Sequence, residues 1–111
     1  MRLNTLALLL LLFAAALPAA AAVRMEERVT LTTDDGWNLN ARWLRAAGDA
    51  PTLVLVHTQK SDLTEWNDWF PAMKRQGFGY LAFDLRGHGN SFVTPDGSTT
   101  SWKAFPVSGP D

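Results

Sequence analysis

The chain has 111 residues and no cysteine, which excludes a disulfide framework and any thiolate metal site. Histidine is scarce: His57 and His88 are the only two, and nothing after Ser91 can serve as an imidazole base. Joining both to Asp84 would still leave a metal short of a well-spaced further ligand, so no metal is expected, and no cofactor. Charge of one sign is also lacking. Ten Lys and Arg face eleven Asp and Glu, a balance with no basic patch for nucleic acid. There is no internal repeat.

The longest apolar run lies at the start. Met1 to Ala22 has one cation, Arg2, then an apolar block from Leu6 to Ala16, and ends in small residues around Pro18 to Ala22. This pattern predicts a signal peptide over residues 1–22, cut before Val23, and an exported product, periplasmic or secreted, with no stable membrane span left after cleavage. The remaining residues, 23–111, make one small domain at most.

From Glu27 to Thr33 apolar and polar residues alternate with period two, as do Trp37 to Trp43. Asp34-Asp35-Gly36 between them predicts a hairpin closed by a type I′ turn, with Trp37, Leu39, Ala41 and Trp43 packed and Asn38, Asn40 and Arg42 wet. Thr52 to Val56 (TLVLV) and Tyr80 to Phe83 are short apolar runs suited to strands buried on both faces. Between them Asp62 to Gly77 has helical spacing, with Asp62 and Glu65 as a capping box and Trp66, Trp69, Phe70 and Met73 as a stripe against the sheet. Pro71 predicts a kink or a helix in two parts, and Gly77 a stop. Strand, helix, strand reads as a right-handed β-α-β crossover, which sets His57 and Asp84 at strand C-termini on one edge of the sheet, where open α/β sheets bind ligands. The structured core is expected over 23–91. Residues 92–111, rich in Pro, Gly, Ser and Thr, read as a loop, so the chain stops just after two parallel strands and looks unfinished.

An LVLVH strand, a polar loop, a helix with tryptophan near its start, a Gly-Phe-Gly-Tyr turn and a strand closing in D-x-R-G-H-G-x-S together resemble the N-terminal part of the α/β-hydrolase family. Asp84, Arg86, Gly87, His88, Gly89 and Ser91 match the last motif residue by residue. The resemblance implies an α/β fold: an antiparallel hairpin, then a β-α-β crossover that opens the parallel sheet. It also implies a serine-hydrolase parent acting on small ester-like or related acyl substrates. In that family a backbone N–H after the LVLVH strand helps form the oxyanion hole, which makes Gln59 the positional candidate and Thr58 the next. The family loop starts His-Gly, where this chain has His57-Thr58, and β-branched threonine resists positive φ.

The triad itself is not expected here. The family nucleophile sits in G-x-S-x-G, followed by an acid and a histidine. Gly89-Asn90-Ser91 supplies only half of that elbow, Val93 stands in place of its second glycine, and Pro95 blocks a helix. Ser91 is therefore read as a turn residue. Asp84 is expected to accept hydrogen bonds from its own turn or to pair with Arg86, Gly87 and Gly89 to supply positive φ, and His57 and His88 to stabilise the turn at the site edge. A dinucleotide fingerprint fails because Phe92 occupies the place of its third glycine. Two functions remain: the opening portion of an exported α/β-hydrolase, or a small exported binding module without covalent chemistry. In the first case the strand that would neighbour Val54 is missing, and self-association through that unpaired sheet edge is expected.

Overall fold

A computed structural model describes residues 23–105, so the expected signal peptide and residues 106–111 lie outside the described residues. Four strands, β1 (Glu27–Thr32), β2 (Asn38–Leu44), β3 (Thr52–Val56) and β4 (Gly79–Phe83), form one mixed sheet in the order β1-β2-β4-β3. The β1–β2 hairpin is antiparallel, with Leu31 opposite Leu39. β4 then pairs antiparallel with β2 and parallel with β3, placing Leu81 beside both Trp43 and Val54. This is the expected hairpin and β-α-β crossover, with β4 inserted between the two earlier strands.

The hairpin turn is not type I′. Gly36 N–H donates to Thr33 O at 2.9 Å, and only Gly36, at φ 92°, is left-handed there. Asp34 and Asp35 thus fill an ordinary turn followed by a left-handed glycine, the arrangement of longer hairpin loops.

The crossover helix comes in two parts: a 3₁₀ turn, Leu63–Trp66, and an α-helix, α1 (Phe70–Arg75), with Pro71 in its first turn, where proline is tolerated. Asp62 caps the 3₁₀ turn by accepting Thr64 N–H at 2.8 Å. The capping box does not form, because the Glu65 carboxylate turns instead to the Thr58 N–H and hydroxyl. Phe70 and Met73 pack on Leu44, Leu55, Leu63, Tyr80 and Ala82 to make the core, and Phe70 stacks on Tyr80 at 4.6 Å between ring centroids. Trp69, expected in that stripe, is 61% exposed.

The supposedly wet face of β2 is the one that meets this layer. Arg42 lies 4.3 Å above the Phe70 ring and ion-pairs with Glu26 at 2.6 Å; Leu44 on the same face is fully buried. Only Asn38 of the three polar residues is exposed. On the opposite face Trp37, Leu39 and Ala41 are buried, whereas Val54 and Val56 at the β3 edge are 64% and 51% exposed.

Candidate active site

Both parallel strands end in buried polar residues. At the end of β4 the Asp84 carboxylate is 2% exposed and meets no cation. Its Oδ1 accepts Leu63 N–H at 2.7 Å, and its Oδ2 accepts Asn90 N–H and Asn40 Nδ2–H, both at 2.9 Å. Three donors compensate the buried charge. The alternative pairing with Arg86 does not occur. Arg86 reaches across to the hairpin turn and grips Asp35 with two hydrogen bonds, at 2.7 and 2.5 Å. With the Thr33 hydroxyl, that grip holds the Asp35 carboxyl below its ordinary range.

The glycines of the motif are sites of close approach. Gly89 has φ 48°, and a Cβ there would run into the Asp84 carboxylate. Gly87, at φ 74°, has Trp102 N where a Cβ would come within 2.7 Å. Trp102 begins a 3₁₀ turn, Trp102–Ala104, inside the stretch expected to be loop. Its N–H donates to Gly87 O at 2.8 Å and its ring stacks on His88 at 6.1 Å. Ser91 is fully buried within the turn; its Oγ donates to Asp84 O at 2.8 Å and accepts Asn40 N–H at 2.9 Å.

His57 and His88 come together from the two strand ends, with ring centroids 5.0 Å apart and planes tilted by 58°. Both are buried, and both use both ring nitrogens. His57 Nε2 accepts Leu85 N–H at 2.9 Å while Nδ1 lies 2.7 Å from Thr58 O. His88 Nε2 accepts Lys60 N–H at 3.2 Å while Nδ1 lies 2.9 Å from Arg86 O. An Nε2 that accepts an N–H carries no proton, so each neutral ring holds its proton on Nδ1.

The loop after β3 is correspondingly constrained. Thr58 N–H goes to Glu65 at 3.0 Å, and Ser61 N–H goes to Thr58 O at 3.2 Å. The Thr58 hydroxyl, at 2.5 Å, is the leading cause that holds the Glu65 carboxyl below its ordinary range. Lys60 takes the left-handed conformation at φ 72°, alone among the described non-glycine residues. Positive φ therefore falls two residues after Thr58, not on it. Thr58, a candidate donor, has its N–H already committed. Gln59 N–H has no hydrogen-bond partner among the described residues, and Gln59 lines a cavity of about 400 Å³ over the sheet edge. Leu39, Leu85, Trp102 and Phe105 supply its apolar walls, Arg86 and His88 the polar ones.

Asn40, Asp35, Glu65 and Trp102 were not singled out as site residues by sequence. Only Trp102 carries a local signal, a large aromatic in a stretch of small polar residues. Among the described residues no group of three His, Asp or Glu could hold a metal ion, and no helix is long and apolar enough to cross a membrane.

The fold has counterparts among solved structures. A hydrolase from Pseudomonas aeruginosa is 35% identical, with a TM-score of 0.52 over 61% of this chain and 25% of that one. An esterase from Pyrococcus furiosus is 27% identical in each of two crystal forms, with TM-scores of 0.51 and 0.50 over 61% of this chain and 28% and 26% of that one. No protein-family model and no curated protein matches the chain. The fold is the N-terminal part of an α/β-hydrolase sheet, as the D-x-R-G-H-G-x-S ending implied. The chain spans about a quarter of the length of the solved proteins it resembles.

Proposed function

We propose that the chain is the opening portion of an exported serine-type α/β-hydrolase that cleaves ester or related acyl bonds, and that it contributes the Gln59 N–H to the oxyanion hole. The observation that carries this reading is the uncommitted Gln59 N–H between Thr58 on one side and Lys60 and Ser61 on the other, whose N–H groups all have acceptors. A fixed donor at the C-terminal edge of the sheet stabilises charge as it develops on a carbonyl oxygen, without reorganising at the moment of reaction. The hydrolase and esterase neighbours support the same chemistry.

In this reading the nucleophile, acid and base are not among the described residues. Ser91 Oγ is sealed from solvent and uses its proton and a lone pair within the turn. Both imidazoles are occupied by backbone groups.

The test has two arms. The purified chain should hydrolyse an activated ester no faster than a boiled control, and turnover abolished by Ser91→Ala would refute the reading. A product extended through a G-x-S-x-G segment should turn over, and Gln59→Pro, which deletes the N–H, should lower its kcat by about 10²–10³. Unchanged kcat in that variant would remove Gln59 from the oxyanion hole.

A further inference from the structure

The two buried imidazoles take hold of the two peptide units that meet at Gln59. The Thr58 carbonyl lies 2.7 Å from His57 Nδ1, and that carbonyl belongs to the same peptide unit as the Gln59 N–H. The next unit carries the Lys60 N–H, which His88 Nε2 accepts at 3.2 Å. No peptide bond among the described residues is cis, so the Thr58 carbonyl and the Gln59 N–H point in opposite directions. A donor on that oxygen orients the N–H on the far side, and it also polarises it, because hydrogen bonds in series strengthen one another. The series begins in the motif turn: Leu85 N–H donates to His57 Nε2, the ring's Nδ1–H donates to Thr58 O, and Gln59 N–H stands at the open end.

We propose that His57 and His88 are positioning residues for the Gln59 N–H: His57 aims and polarises it from behind, and His88 holds the peptide unit in front. This rests on the reading of Gln59 as the oxyanion donor. The left-handed Lys60 fits the same account, since a non-glycine residue at φ 72° keeps that conformation only where its surroundings over-determine it. His88 supplies one such constraint through the Lys60 N–H, and the Lys60 ammonium, 5.5 Å over the Trp102 ring, supplies another. The histidines thus couple the loop after β3 to the motif turn after β4, which explains why two buried imidazoles stand side by side with neither hydrogen-bonded to a hydroxyl among the described residues.

Nuclear magnetic resonance on the full chain tests this without any turnover. Long-range ¹⁵N spectra should show both rings as the neutral Nδ1–H form, and an Nε2–H form of either ring would overturn the proposal. In amide exchange Gln59 should exchange as an open site while Thr58, Lys60 and Leu85 are protected; protection of Gln59 would also overturn it. His88→Phe, which keeps a ring against Trp102, should speed Lys60 exchange about tenfold or more while β4 amides stay protected. His57→Phe should shift the Gln59 amide proton upfield, and His57→Asn, whose amide keeps a donor near the Thr58 carbonyl, should restore it. A Gln59 proton indifferent to His57→Phe, with β4 still protected, would mean that the imidazole does not act on it. Absence of activity in an extended product would bear on the oxyanion reading and leave these spectra as they are.

Discussion

Ser91 Oγ accepts the Asn40 N–H from a strand 51 residues earlier. The same hydroxyl donates to the Asp84 carbonyl at 2.8 Å, so the last residue of the motif sews its turn to β2. Ser91→Ala leaves both backbone groups unsatisfied in a site with no solvent access. The variant should lose about 1–3 kcal/mol, read as a lower urea midpoint; an unchanged midpoint would show that the stitch contributes nothing.

Two glycines separate close approach from conformation. Gly89 and Gly97 both have positive φ, 48° and 86°, but only at Gly89 would a Cβ meet the Asp84 carboxylate, while nothing lies within 4 Å at Gly97. Gly97→Ala should cost about 1 kcal/mol for its left-handed backbone. Gly89→Ala should cost at least ~2 kcal/mol more, because Asp84 is held by three donors and cannot yield. Comparable losses in the two variants would show that the carboxylate moves.

Glu26 should contribute to the acid limb of the pH profile, beside Asp35 and Glu65, and Tyr80 to the alkaline limb. Partial burial alone would raise the Glu26 carboxyl, but hydrogen bonds from Arg42 and Tyr80, with the charges of Arg42 and Lys74, outweigh it and hold the group below its ordinary 4.5. A folded pKa below the unfolded one means stability that is complete above about pH 4.5 and is lost as pH falls through the folded value. Burial first, then the hydrogen bond to Glu26, raises the Tyr80 phenol above its ordinary 10.0. Its contribution is complete below pH 10 and is lost only as pH rises through the folded value. Glu26→Gln should flatten the acid limb measured by urea denaturation, and an unaltered limb would assign it to other carboxylates.

β3 has one partner strand among the described residues and no charged residue within it. Its free edge is flanked by exposed Val54 and Val56 on one face, and by a groove lined by Trp66 and Trp69 on the other. Unpaired apolar edges template association. Sedimentation should show concentration-dependent self-association that Val54→Lys suppresses, the charge entering at a position already 64% exposed. A monomer at every concentration would count against it.

Export is read from residues outside the described structure. Intact mass of the exported product should place its first residue near Val23. A soluble protein beginning at Met1 would overturn that expectation.

The sheet was legible because its signals are local: two-residue alternation, apolar runs, and glycine or proline at their ends. Pro71 announced the division of the helix, but the division itself spoiled the stripe. The 3₁₀ turn ends at Trp66 and α1 begins only at Phe70, so a 3.6-residue count does not run through the turn residues between them, and Trp69 stays exposed. The polar partners were less legible. Arg86 stands two residues from Asp84 yet pairs with Asp35, and Glu65 leaves Asp62 for Thr58. Such choices depend on which turns the fold brings together, and spacing along the chain does not encode that.

The insertion of β4 between β2 and β3 also imposes an order in time. A chain emerging N-terminus first can close the β1–β2 hairpin alone, but TLVLV must then wait bare through the whole crossover, since its only partner among the described residues has not been made. When Gly79–Phe83 arrives it completes both seams together. Gly79 must pass where even a Cβ would come within 2.5 Å of Ala46 N. The two seams of β4 should therefore form late and together, and until then the stretch most prone to misassociate is the one that will frame the site.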